Sequence, residues 1–135
     1  MISELEMVIR LLLACGLGGL IGTERELFKK PAGLRTHMLV ALGSGLFTIL
    51  SFQGFPGADP ARIASYVVIG IGFIGAGTII QSRDRVIGIT TAASLWVAAG
   101  VGMAVGVGYY FGGVIVAALS FIILRSGRLE KKEHK

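Results

Sequence analysis

Long apolar stretches separated by short polar segments make up most of the chain, and they predict membrane-spanning helices. A helix needs about 20 mostly apolar residues to cross a hydrocarbon core about 30 Å thick. The last stretch, Val86 to Leu124, has 39 residues without a formal charge, enough for two spans. We place the turn between them at Gly106–Tyr110, where glycines precede two tyrosines. The pattern predicts a single transmembrane domain over residues 1–135, with spans at about residues 5–22, 36–53, 63–81, 86–105 and 109–124.

The composition indicates that a bilayer surrounds the protein. Apolar residues make up 53% of the chain and charged residues 16%, whereas soluble domains carry about 25% charged residues. The mean hydropathy is +0.77. So few polar side chains could not cover a water-exposed particle of this size. The predicted fold class is therefore an all-α, polytopic membrane helix bundle of five transmembrane helices.

The distribution of basic residues predicts the orientation of the bundle, because cytoplasmic loops hold the excess of Lys and Arg. Three segments, after the first, third and fifth predicted spans, hold 11 of the 13 basic residues: Arg25, Lys29, Lys30, Arg35, Arg83, Arg85, Arg125, Arg128, Lys131, Lys132 and Lys135. This asymmetry predicts an N-terminus outside and a cytoplasmic C-terminus. The first residues are acidic and no small-residue cleavage site follows, so we expect no cleaved signal peptide.

Small residues recur at helical spacing within the predicted spans, which allows close approach of helix backbones in a membrane. We expect seven glycines to serve helix packing: Gly18, Gly22, Gly72, Gly75, Gly77, Gly102 and Gly106. The pattern favours packing within one chain over packing between two copies, and it leaves a homodimer open. Trp96 lies deep in the fourth predicted span, and we expect it to pack inside the bundle.

Several classes of chemistry are not supported by the sequence. Gly70–Gly75 matches the glycine pattern of dinucleotide-binding folds, but it lies inside an apolar run of spanning length rather than between a strand and a helix. Cys15 has no base or second thiol near it, and no His or carboxylate motif for a metal is present. We therefore expect no enzyme, no cofactor and no nucleic-acid partner, and leave open whether Mg²⁺ binds.

The densest set of polar residues lies between the first two predicted spans. The first helix should continue to Lys30, because Pro31 disfavours helix in the residue before it. Six polar residues then flank the turn: Glu24, Arg25, Glu26, Arg35, Thr36 and His37. One interpretation is a charged gate, or a site for a cation or a partner. The residues alone favour the other interpretation, an ion-paired and solvated loop.

Further polar residues lie inside the predicted spans. A charge there faces the protein interior or a wet cavity, so Arg10 should pair with Glu6 one turn away or extend outward to the interface. Its role can be structural or functional. Thr90, Thr91 and Ser94 form a second set, with Thr90 and Ser94 expected on one face of the fourth span. Their hydroxyls can bond to backbone carbonyls, which is the common outcome, or line a polar cavity.

Several motifs, in this order along residues 8–105, resemble those of the MgtC/SapB family of bacterial inner-membrane proteins. They are Arg10–Leu13, Gly18–Gly22, Glu24–Glu26, Lys30–His37, Gly72–Gly77 and Thr91–Trp96. The resemblance implies a multi-pass protein of the bacterial inner (plasma) membrane, linked to growth under magnesium limitation. In pathogens it implies a link to virulence through survival inside macrophages. It also implies a regulator of other membrane systems more than a magnesium pump.

The chain departs from that family's pattern in two ways. Well-studied members carry a soluble domain after the last span, so we expect this chain to correspond to the transmembrane part alone. Some members have Asn where this chain has Thr90. The resemblance marks these residues as the first to mutate: Arg10, Glu24, Arg25, Glu26, Arg35, Thr36, Thr90 and Thr91.

Two functions are consistent with the sequence. The first is a non-enzymatic membrane regulator that acts by helix contacts, either in a homodimer or with another inner-membrane protein complex. The alternative is a transporter of an ion, Mg²⁺ or a proton-coupled one, or of a small solute. Coupled transporters bury ionisable groups near the midplane, and only Arg10 is a candidate for such a position, which favours the regulator.

Overall fold

The computed structural model describes residues 1–127, which form five α-helices and one small β-hairpin. The elements are α1 (Glu4–Leu27), α2 (Leu34–Gln53), α3 (Ala61–Ala76), β1 (Ile80–Ser82), β2 (Arg85–Ile87), α4 (Ile89–Gly106) and α5 (Tyr110–Ser126). By length and composition, α1, α2 and α4 can each cross a membrane. The other two helices are apolar but shorter, at 16 and 17 residues. The predicted bundle of five helices is confirmed, with three helices long and apolar enough to cross a membrane, and the orientation stays a prediction.

The first helix is longer than its apolar stretch and shorter than predicted. The Ser3 hydroxyl caps its start by accepting a bond from the Glu6 amide at 3.1 Å. The helix ends at Leu27 rather than Lys30, because Lys29 adopts a left-handed conformation with a φ of 50°. The residues from Glu24 to Leu27 are therefore helical and belong to the bundle.

The boundaries of the third and fourth spans differ from the sequence prediction. The third span was expected to reach residue 81 and the fourth to begin at 86, but α3 ends at Ala76 and α4 begins at Ile89. The residues between form the hairpin, in which Ile80 pairs with Ile87 and Gln81 with Val86. Short β-branched apolar runs fit a strand as well as a helix, so hydropathy alone could not separate the two.

Three helices form the centre of the bundle. Most contacts between elements join α1, α2 and α4, while α3 packs on α4 and α2, and α5 packs on α4 and α1. One core cluster combines Ile21, Ala98, Val101 and Ala117, from α1, α4 and α5. The outer helices bury few residues: Ala64, Ile71 and Gly75 in α3, and Gly113 and Ala117 in α5.

Glycines allow the central helices to approach closely. A Cβ at Gly18 would lie 2.6 Å from the Ala41 Cβ, and one at Gly22 would lie 2.8 Å from the Leu34 Cα, so both fix the contact of α1 with α2. A Cβ at Gly106 would lie 2.9 Å from the Gly45 carbonyl oxygen, across the contact of α4 with α2. Gly102 is similarly close to Ala41 and Ser44.

Three residues expected to pack inside the bundle have other positions. Gly72 faces outward, with no heavy atom within 4 Å of the place that a Cβ would occupy, and Gly77 ends α3 by donating its N–H to the Phe73 carbonyl at 3.1 Å. Trp96 is 56% exposed, because the buried face of α4 passes through Leu95 and Ala98. Gly75 does contact a neighbouring helix, at Ala92 of α4.

Candidate functional site

Charged and polar side chains from α1, α2 and α4 are buried together at the end of the bundle that carries the α1–α2 loop. We name this set the inner polar cluster: Glu24, Arg25, His37, Thr91 and Ser94. Glu24 is 2% exposed, Arg25 4% and His37 0%. Buried charges are costly unless they are paired and hydrogen-bonded, so the contacts within this cluster determine whether it is stable.

Arg25 connects α1 to α4. Its Nη1 donates to the Glu24 Oε2 at 3.2 Å, and its Nη2 donates to the Thr91 Oγ1 at 3.2 Å. The Nε of Arg25 is buried and has no acceptor among the described residues. The guanidinium is thus partly neutralised by the adjacent carboxylate, and its Nε–H is left for a further acceptor.

His37 connects α2 to α4. Its Nδ1 lies 2.8 Å from the Gly33 carbonyl oxygen and its Nε2 lies 2.9 Å from the Ser94 Oγ. A carbonyl oxygen only accepts, so Nδ1 carries a hydrogen and donates it. The Ser94 hydroxyl also lies 2.8 Å from the Thr91 carbonyl oxygen. With a neutral imidazole the hydroxyl donates to Nε2, whereas with a protonated imidazole it accepts from Nε2 and donates to Thr91.

Contacts of α1 with the first turn of α2 position His37. A Cβ at Gly22 would lie 2.9 Å from the His37 Cβ, so a side chain there would separate α1 from α2. The Glu26 Oε2 accepts from the Leu34 amide at 3.0 Å. This carboxylate of α1 supplies a cap for α2, because Gly33 at the N-cap position has no side chain.

A second polar network lies at the opposite end of the bundle and joins α1 to the α4–α5 turn. The Arg10 Nε donates to the Glu6 Oε1 at 2.9 Å and to the Tyr110 Oη at 3.0 Å, and its Nη1 donates to the Gly106 carbonyl at 2.8 Å. The Tyr110 hydroxyl donates to the Glu6 carboxylate. We name these four residues the outer polar network. Arg10 pairs with Glu6, as one of the two predicted alternatives requires.

Small and paired residues fill the bundle between the two polar sets. The Ser44 hydroxyl bonds to the Ala99 carbonyl at 2.9 Å, and the Thr48 hydroxyl bonds to the Ser44 carbonyl at 2.7 Å. Gly102 of α4 lies against α2 at Ala41. The hydroxyls of this middle layer are therefore bonded to helix carbonyls, although Ser44 also lines a groove between α2 and α3.

Two apolar grooves open on the outer surface of the bundle. One, of about 540 Å³, lies between α2 and α3 and is lined by residues such as Phe47, Val67 and Gly70. The other, of about 380 Å³, lies between α3, α4 and α5 and includes Trp96 and Gly100. No residue of the inner polar cluster or of the outer polar network lines either groove.

Comparison with known proteins identifies the family. The model of the MgtC family matches residues 11–132, which include the whole inner polar cluster. The chain belongs to the MgtC family. It is 46% identical to the protein named "Putative magnesium transporter YhiD" of Escherichia coli K12, over 88% of this chain and 59% of that protein.

Other relatives are also similar to most of this chain. Protein MgtC of Salmonella typhimurium is 42% identical over 87% of this chain and 52% of that protein. An uncharacterized protein of Haemophilus influenzae is 38% identical over 91% of this chain and 56% of that protein. The chain thus spans little more than half the length of the curated relatives it matches. No solved structure matches this MgtC-family chain significantly.

The structure brings together only part of the residues predicted from sequence and from the MgtC/SapB resemblance. Arg35 is exposed and Thr36 is half-buried, and neither has a side-chain bond among the described residues. Thr90 is exposed, whereas the sequence placed it on one face with Ser94. It lies about 100° around the helix from Thr91, and the buried face of α4 is centred on Thr91 and Leu95.

Tyr110 is the residue of this MgtC-family chain that sequence reasoning missed. It bonds to Arg10 across a sequence separation of 100 residues, and its ring lies 5.7 Å from the guanidinium carbon. The available signal was its place next to the predicted turn, at the same end of the bundle as Arg10. No local spacing relates the two residues.

The ligand set for a metal is small. Across residues 1–127, no three His, Cys, Asp or Glu side chains come together. In the inner polar cluster of this MgtC-family chain, Glu24, His37 and the hydroxyls of Thr91 and Ser94 are the groups that could contact a cation. Hard cations such as Mg²⁺ prefer oxygen ligands, which leaves Glu24 with the hydroxyls of Thr91 and Ser94 as candidates.

Proposed function

We propose that this MgtC-family chain is a non-enzymatic regulator in the bacterial inner membrane, which it crosses several times, and that it acts during magnesium limitation. It acts through contacts of its helices with a second copy or with another membrane protein. The MgtC/SapB resemblance and the magnesium-related name of the relative YhiD support the link to magnesium.

One observation carries the choice of a regulator. The inner polar cluster and the outer polar network are separated by a middle layer in which Gly102 lies against α2 and the hydroxyls of Ser44 and Thr48 bond to backbone carbonyls. A transport path needs polar groups that face a cavity at membrane depth. The two grooves described above are lined mainly by apolar residues, with Ser44 and Tyr66 in the one between α2 and α3, and both open outward.

The outward faces of the shorter helices supply the contact surface. Phe73 in α3 is 85% exposed and Phe111 in α5 is 81% exposed. Gly72 has open space around it, so a partner helix could approach α3 closely there. These faces are apolar and suit either lipid or another membrane helix.

A transporter is the second candidate, and the buried charges favour it. Ionisable residues inside membrane helices commonly mark ion or proton pathways, and Glu24, Arg25 and His37 are all buried. Transport would require the middle layer to open. The two functions therefore differ in whether Glu24 takes part in movement of an ion across the membrane.

Flux through sealed liposomes tests the choice. We expect the purified protein to move neither Mg²⁺ nor protons faster than protein-free liposomes, as followed by entrapped fluorescent indicators. Glu4→Gln, at an exposed carboxylate, is the matched control for Glu24→Gln. If the unmodified chain shows flux, and the Glu24→Gln variant loses that flux while the Glu4→Gln variant retains it, the protein is a transporter.

Copurification tests the regulator. We expect a membrane protein complex that copurifies with this chain at low magnesium, and we expect the Gly72→Leu variant to lose it.

A further inference from the structure

The β-hairpin between α3 and α4 combines apolar and basic side chains at the end of the bundle that carries the inner polar cluster. Its strands expose large apolar side chains: Ile80 is 61% exposed, Val86 49% and Ile87 46%. In water these side chains would expose apolar surface without compensation. Next to the ends of membrane helices they can instead enter the boundary between acyl chains and headgroups.

Two arginines flank the tip of the same hairpin. Arg83 and Arg85 are exposed on either side of Asp84, and neither forms an ion pair or side-chain hydrogen bond with another described residue. A guanidinium presents several N–H groups in a planar fork that matches the oxygens of a phosphate. The pairing of Ser82 with Arg85 places the arginines beyond the apolar pairs, on the side away from the helices.

We propose that this hairpin is a binding site for anionic phospholipid headgroups. Ile80 and Ile87, which pair across the strands and so share one face, anchor the hairpin at the membrane boundary, and Arg83 and Arg85 bind the headgroup phosphate. We choose an anionic lipid as the ligand because the tip has two cationic side chains and a single acidic one, which gives it a net positive charge. This proposal does not depend on the proposed regulator function. It assigns the protein a lipid ligand in addition to that function.

The base of the hairpin is bonded to α3, because the Thr78 amide and hydroxyl both donate to the Gly75 carbonyl, at 3.0 and 2.7 Å. Gly88 has a φ of 94° and lies against the Thr78 carbonyl, where a Cβ would clash. The first turn of α4 follows at once and includes Thr91, which accepts from Arg25. The N-terminal turn of α4 therefore lies between the proposed headgroup site and the inner polar cluster along the chain.

Native mass spectrometry of the full chain in detergent, titrated with phosphatidylglycerol or phosphatidylcholine, tests the site. We expect the double variant Arg83→Gln, Arg85→Gln to bind phosphatidylglycerol about thirtyfold more weakly, from the usual contribution of a basic residue near an anionic surface. Phosphatidylcholine binding should not change. The matched control is Lys29→Gln, Lys30→Gln, which removes the same charge at the same end outside the hairpin.

Each outcome of the titration decides the proposal. A selective loss in the hairpin variant, with the lysine variant within about threefold of the unmodified chain, supports it. Equal losses in both variants would show general electrostatic attraction, and an unchanged affinity would assign the arginines to another partner such as an acidic protein surface; both results overturn it. Thermal unfolding in zwitterionic detergent verifies that both double variants are folded.

Discussion

At the scale of single residues, Arg25 does most to hold the inner polar cluster together. It is 4% exposed and bonds to Glu24 on its own helix and to Thr91 on α4. The ion pair between Arg25 and the preceding glutamate partly neutralises both groups within one helix. It also explains how two ionisable residues can be buried where the sequence predicted a solvated loop.

Removal of the Arg25 charge should destabilise the bundle strongly. We expect Arg25→Gln to lower the free energy of unfolding by about 3 kcal/mol or more, because the buried Glu24 carboxylate then loses its ion pair with Arg25. Thermal or denaturant unfolding in detergent measures this. The exposed Arg35 is the control, and Arg35→Gln should change stability by less than about 0.5 kcal/mol.

The double variant Glu24→Gln, Arg25→Gln separates the ion pair from packing. It should be more stable than Arg25→Gln alone, because it buries no unpaired charge. If the two variants were equally unstable, the Arg25 side chain would contribute through packing, and the proposed role of the ion pair would be wrong.

At the scale of elements, hydropathy predicted the long helices well and the connection between α3 and α4 poorly. The apolar runs of α1, α2 and α4 are long enough that a helix is the only way to satisfy their backbone in a membrane. Ile80 extended the apolar run of α3 in the sequence, and Val86 and Ile87 extended that of α4, but the turn at Arg83–Asp84 folds these three residues into strands. Short β-branched segments carry no periodic signal that distinguishes these structures.

The sequence predicted which residues form the inner polar cluster on α1 and α2, but it did not predict which side chains of α4 they contact. The sequence singled out Glu24, Arg25 and His37, and the structure places them in one buried cluster. Their contacts with Thr91 and Ser94 span 66 and 57 residues, and such contacts depend on how helices pack rather than on local spacing. For the same reason the exposed position of Thr90 could not be read from the chain.

The hairpin base gives a prediction at this scale. Gly88→Ala should destabilise the protein by more than about 2 kcal/mol, because it adds a clash with the Thr78 carbonyl to the cost of a left-handed backbone. Gly57→Ala is a matched control, since Gly57 has a φ of 83° with open space around it. It should cost only about 1 kcal/mol. Thermal unfolding compares the two variants, and equal losses would contradict the close contact at Thr78.

At the scale of the whole molecule, α1 carries one polar set at each end and a close-packed layer between them. Arg10 and Arg25 are about 22 Å apart along the helix, from the rise per residue. Both arginines bond to α4 or to the turn that follows it, through Thr91 and through the Gly106 carbonyl. Hydrogen bonds thus join α1 to α4 at both ends of the bundle. In the middle, the helices pack through close backbone contacts such as that of Gly102 with Ala41.

Chemical labelling tests whether this middle layer excludes water. In a Cys15→Ala background in nanodiscs, where both membrane faces are accessible, we expect Ser44→Cys to resist a membrane-impermeant maleimide. Arg35→Cys should react rapidly because Arg35 is exposed, whereas Ser44 is 4% exposed and bonds to the Ala99 carbonyl. A maleimide needs a hydrated thiolate, so the rate reports water at membrane depth.

The outcome bears on both candidate functions. If Ser44→Cys reacts at a rate close to that of Arg35→Cys in a folded protein, water reaches the layer between the two polar sets, and the sealed bundle that favours a regulator is wrong. A reaction that appears only when Mg²⁺ is added would mean that the bundle opens on ion binding, as a transporter requires. If the Ser44→Cys thiol stays unlabelled with and without Mg²⁺ while Arg35→Cys reacts, no aqueous route connects the two ends of the bundle. That result favours a bundle that acts through contacts between helices.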